Sequence, residues 1–145
     1  MANDKSIELK IQHVRMAKSA YILEAESSLA QGLDSAGMAL FFKAAELELE
    51  IADLFRARGE ERNSQVSLRS AGFCYARARQ YRRAAEILDQ VADQFADARD
   101  WIDQNKGKED VPLASATPGL QALVDLLVTK GVIQEYEWAA ALGPH

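Results

Sequence analysis

The chain is 145 residues long, 48% hydrophobic and 27% charged, and its 22 acidic and 17 basic residues leave a net charge of −5. That length suits one domain, and the composition is that of a folded globular chain rather than a disordered or fibrous one. The single cysteine, Cys74, excludes an internal disulfide and fits a reducing, cytoplasmic setting; no apolar run approaches the roughly 20 residues of a membrane span; and the acidic balance argues against nucleic acid as a partner.

All three prolines, Pro112, Pro118 and Pro144, lie in the last third, so nothing before Val111 is forced out of helix by one. From Ser6, a plausible cap, the apolar positions Ile7, Ile11, Val14, Tyr21, Ala25 and Leu29 recur at helical spacing until Gly32 and Asp34 end the run. Ser35 is then expected to cap a second helix with its stripe through Met38, Phe41, Ala45, Leu47, Ile51, Leu54 and Phe55, closed by Arg58-Gly59. A third helix is predicted from near Asn63 through Val66, Leu68, Ala71, Cys74, Tyr75 and Ala78. After a break around Gln80, a fourth is predicted from Tyr81 to about Gln104. Residues 105–117 read as a loop. Thr117-Pro118 then opens a helix carrying Leu120, Leu123, Val124, Leu127 and Val128 that stops at Lys130-Gly131, and Gln134 to Leu142 forms a last short one. The expected fold is all-α, an antiparallel helical-repeat bundle of four longer helices over residues 1–104. Residues 118–145 are expected to form an appended C-terminal hairpin, either part of the same domain or an oligomerisation element.

The segment from Phe41 to Phe55 matches Tyr81 to Phe95 at an offset of 40 residues, with six identities in fifteen positions. A period of that size in an all-helical chain indicates stacked helix pairs that bury their apolar faces on one another, with Ala44, Ala45, Ala84 and Ala85 allowing close crossings. Over Leu68 to Val91 the residues Gly72, Tyr75, Tyr81, Ala84, Leu88 and Val91 fall at the spacing of one motif, and the stretch resembles a tetratricopeptide repeat. In the earlier copy Phe41 and Ala44 fit, whereas Glu48 occupies the large apolar position. With its longer helices the pair is similar to the tetratricopeptide-like arrays of the soluble NSF attachment proteins. The resemblance implies protein or peptide binding without catalysis, and a concave groove lined by Val66, Arg69, Phe73 and Arg77, which is expected to form between the first and third helices.

Charge is segregated. Between Leu54 and Arg83 eight arginines stand against two acids, a local +6 that leaves −11 on the rest of the chain. Arg62, Val66, Arg69, Phe73 and Arg77 lie in one stripe of the third helix, because steps of three and four residues nearly close a helical turn. Guanidiniums around an aromatic ring suit an acidic peptide or a protein partner: arginine holds carboxylates bidentately while Phe73 gives apolar contact. The competing reading pairs these arginines with Glu46, Glu48, Glu50, Glu86 and Asp89 and places Phe73 in the core.

Glu46 and Glu50 are one turn apart, but a helical di-iron site needs Glu-x-x-His pairs, and Lys10 stands three residues before His13. Neither a metal nor another cofactor is expected. Cys74 reads as a buried, inert thiol, and no nucleophile elbow or phosphate-binding loop occurs. The C-terminal hairpin is more apolar than a surface element requires. It is expected either to cap the helical stack or to join two protomers as a homodimer, with Leu123, Leu127, Tyr136 and Trp138 as contacts. The expected function is a non-enzymatic protein-interaction module. The rivals are a self-associating structural bundle and a small-molecule sensor with an apolar interhelical pocket.

Overall fold

The computed structural model describes residues 4–113, and over them the chain is all-helical. Five helices follow in order: α1 (Asp4–Ala30), α2 (Asp34–Ala57), α3 (Glu61–Arg77), α4 (Tyr81–Asp89) and α5 (Ala96–Gln104). No helix among the described residues is long and apolar enough to cross a membrane.

One kind of turn is used three times. Gly32, Gly59 and Arg79 take positive φ of 79°, 75° and 58°. The next N–H, of Leu33, Glu60 and Gln80, donates back to the carbonyl of Ser28, Phe55 and Tyr75 at 2.8, 2.9 and 2.9 Å. This is the 6→1 closure that satisfies helix C-termini, and it favours glycine because a Cβ is strained in the left-handed region. Leu33, Glu60 and Gln80 then serve as N-caps of the following helix through their backbone, with no side-chain cap bond. The expected starts at Ser35 and Asn63 are therefore corrected to Asp34 and Glu61, because a turn this tight hands the chain into the next helix two residues after the left-handed one, ahead of those polar residues; α1 is already helical from Asp4, before Ser6. Arg79 carries a strain the two glycines avoid, so Arg79→Gly is expected to raise stability by about 0.5–1 kcal/mol in urea denaturation, after the loss of its exposed pair with Asp34.

The predicted fourth helix is two. Its chain turns at residues 90–95, where Phe95 is extended (φ −129°, ψ 107°) before α5 begins. No glycine or proline marks this break. What stabilises it is tertiary: Val91 and Ala92 go into the core while the Phe95 ring lies under the guanidiniums of Arg62 and Arg69, at 4.8 and 5.5 Å from its centroid. Stacking of Trp101 on Tyr81, 6.4 Å between centroids and 14° apart in plane, holds α5 against α4.

Each helix packs on its neighbours in sequence, α1 on α2, α2 on α3 and α3 on α4. Leu29 lies against Gly37 and Lys18 against Glu48, while Phe42 meets Tyr75 and Ser64 bonds to Ala52, so the contacts run in opposite directions along successive helices. Tyr21, Phe41, Leu40, Ile51, Tyr75 and Leu88 are fully buried and form the centre of one core. The predicted stripes lie in it almost throughout; Val66 does not, and is 42% exposed. Gly72 faces Leu88 so closely that a Cβ there would stand 2.4 Å from a Leu88 methyl. Residues 105–113 carry no helix, as expected for the predicted loop, and they are tied down. Val111 donates to the Arg79 carbonyl at 3.0 Å, Gln80 Nε2 donates to the Val111 carbonyl at 2.6 Å, and the Arg82 N–H donates to Asp110 at 2.7 Å.

Candidate functional site

α1 and α3 both lean on α2, and between them lies a depression of about 240 Å³. Lys18 and Ile22 form the α1 wall, Arg69, Phe73 and Arg77 the α3 wall, and Phe41, Glu48, Ser70 and Cys74 the floor. The walls follow from helical spacing: residues 18 and 22 are one turn apart, as are 69, 73 and 77, so each set projects from one side of its helix.

Three of the five stripe residues, Arg69, Phe73 and Arg77, meet in this groove. Arg62 sits farther along α3 on the Phe95 ring. Val66 is exposed and does not line the depression. The Arg69 guanidinium lies 5.2 Å from the centroid of Phe73 and 5.5 Å from that of Phe95, and both its Nε, at 3.1 Å, and a terminal nitrogen donate to the Asp97 carboxylate. That bidentate pair holds Asp97 below the usual carboxylate range and raises Arg69. Arg77 lies 4.1 Å over the Phe41 ring and donates to Glu26 at 3.2 Å, an ion pair that crosses the groove from α3 to α1. Each arginine thus joins a cation–π contact to a carboxylate.

On the floor the Glu48 carboxylate is 4% exposed, 3.6 Å from Lys18 Nζ. Burial raises its pKa, and Lys18 and a hydrogen bond with Ser70 offset that only in part. Burial, and secondarily Glu48, pushes the Cys74 thiol up to about 11, so it is a protonated apolar floor group at neutral pH.

The counter-ions differ from those expected. Glu46, Glu48 and Glu50 pair with the lysines Lys43, Lys18 and Lys10, and Asp89 pairs with Arg99. The arginine block takes its carboxylates from Glu8, Glu26, Asp34, Asp97 and Glu109, with Glu60 as the partner from inside the block. Sequence distance explains the difference: Arg77 and Glu26 are 51 residues apart, Arg69 and Asp97 28, brought together by the turn of α1 into α2 and the break before α5. The first helix is the side expected to face the third, but its wall residues are not named by the sequence reading; Lys18, Ile22 and Glu26 share one side of α1 at four-residue steps, a signal that could have picked them out.

The predicted contacts Leu123, Leu127, Tyr136 and Trp138 lie outside the described residues. Among the described residues no group of three or more His, Cys, Asp or Glu is placed to hold a metal ion. No family model, curated protein or solved structure matches the chain.

Proposed function

We propose that the chain is a non-enzymatic protein-interaction module, a tetratricopeptide-like helical repeat that holds an acidic segment of a partner protein in the groove between α1 and α3. Gly72 against Leu88, two residues of the motif over Leu68 to Val91, supports the repeat relationship. One observation carries the binding role: Arg69 and Arg77, each on an aromatic ring and each holding a carboxylate, stand at either end of a groove whose middle is Phe73 and Ile22.

Asp97 and Glu26 occupy the positions that a ligand's carboxylates would take. Exchanging one exposed ion pair for another costs little, because such pairs are worth about 0–1 kcal/mol. Affinity then comes from apolar contact with Phe73 and Ile22, and the arginines supply orientation and selectivity. Two arginines eight residues apart on a helix are about 12 Å apart, which fits ligand acids about four residues apart in an extended segment. A volume of about 240 Å³ is below the ~300–1,000 Å³ of small-molecule pockets, which favours a surface-bound peptide over a sensed metabolite.

Selection from a displayed library of random peptides tests the assignment. Enriched peptides are expected to carry two acids at that spacing around an aliphatic or aromatic residue, and to bind the Arg69→Glu/Arg77→Glu protein at least ~10-fold more weakly. Equal binding to that variant, with its helical circular dichroism intact, overturns it.

A further inference from the structure

We propose that the apolar C-terminal segment of this chain, residues 118–133, docks along the outward face of α1 on Leu9, Met16 and Leu23. These three are 53%, 54% and 64% exposed, and they repeat every seven residues on the side of α1 opposite the core. Gln12 and Ser19, also exposed, lie between them, and the charges come at the ends: Lys5 and Glu8 stand beside Leu9 and Gln12, and Glu26 lies one seven-residue step beyond Ser19. Charges of α1 are also engaged at its flanks: Lys10 with Glu50, Lys18 with Glu48, Glu26 with Arg77. From Gln12 to Leu23 this side of the helix carries no charge, on a chain with 27% charged residues, and that stretch suits an apolar cover.

Area decides between occupants. Leu9 to Leu23 spans ~21 Å of helix about 10 Å wide, so two copies of the face would bury ~400 Å² together, well under the ~1,200 Å² of a stable interface. A tethered segment needs no such area, because attachment gives it an effective concentration in the millimolar range. The tether starts in the right place. Val111 is bonded to Arg79 and Gln80, and Arg79 reaches Asp34 at 3.7 Å, so the chain leaves from the end of the fold where α1 turns into α2. Residues 114–117 span up to ~14 Å. Residues 118–130, which the sequence predicts as a helix, would then run ~20 Å back along α1, past Leu23 to Met16, and residues 131–133, extended over ~10 Å, would reach Leu9. Leu120, Leu123 and Leu127 recur at helical spacing there, with Asp125 and Lys130 the charged residues of the segment, so a nearly uncharged face meets a nearly uncharged helix.

Photocrosslinking of the full chain tests this. Benzoylphenylalanine replaces Leu23 in one protein and Met16 in another, both outside the core, and products are mapped by mass spectrometry. Cross-links at monomer mass to peptides within 118–133 are expected, with yield falling roughly 10-fold when Leu123→Glu and Leu127→Glu are added. Products at dimer mass would replace the tether with a second copy. Cross-links that miss 118–133 from both positions, or a yield indifferent to the two glutamates, would overturn the docking.

Discussion

Gly72→Val is expected to destabilise the protein by about 2–3 kcal/mol, and to do so through one contact. A Cβ at this position meets the Leu88 Cδ2 and Cγ atoms at 2.4 and 2.5 Å, and Leu88 is fully buried, so it has nowhere to retreat. Leu88→Ala alone should cost about 2–5 kcal/mol from the lost burial and the cavity. In Gly72→Val/Leu88→Ala the new methyls fill part of the space Leu88 vacates, and the double change should fall short of the summed single costs by more than about 1 kcal/mol. Urea denaturation of the four proteins measures the coupling. Additive costs would mean that α3 and α4 do not cross at Gly72. The same cycle bears on the repeat relationship, because these two positions belong to one motif.

Lys18→Met is expected to cost about 2 kcal/mol at neutral pH, below the ~3–5 kcal/mol of breaking a fully buried ion pair because Lys18 is 22% exposed. It leaves the Glu48 carboxylate at the floor of the groove without its cation. Glu48 already has a native pKa above the ordinary 4.5, from burial first. A group whose pKa is raised on folding holds more protons in the native than in the unfolded state. The stability it contributes is complete below 4.5 and is lost as pH rises through the native value. Removing Lys18 raises that native value further. The deficit of the variant relative to wild type should therefore be small near pH 4, grow as pH rises, and level off once Glu48 is ionised in both states. Lys18→Met/Glu48→Met removes both charges together and should return to within about 1 kcal/mol of wild type at neutral pH, with a flatter pH profile. Stability curves across pH distinguish this from a packing effect, which would be the same at every pH.

Much of this architecture is readable in sequence because it is local. Ile11, Val14, Tyr21 and Ala25 reveal the buried side of α1 by spacing alone, and Gly32 and Gly59 mark turns that require a left-handed residue. Arg79 performs the same task without the residue type that announces it. The break between α4 and α5 is less visible still: Phe95 becomes extended because Arg62 and Arg69 lie on its ring, and those contacts belong to another helix. The groove follows the same division. The stripe through Arg69, Phe73 and Arg77 is a property of one helix. The repeat resemblance points to the first helix as the facing side, but which residues stand there, Lys18 and Ile22, and which counter-ions arrive, Glu26 and Asp97, depend on segments that only the turns bring near.

The succession of helices that each rest on the one before has a kinetic meaning. Every turn closes after a few residues, so the chain pays little loop entropy before its contacts form, and such topologies fold on microsecond to millisecond timescales. A nascent chain can dock α2 on α1, and then α3 on α2, as each emerges, without waiting for distant partners. The walls of the groove between α1 and α3 can therefore come together before α4 and α5 emerge, and the late-arriving Asp97 adds the clamp on Arg69.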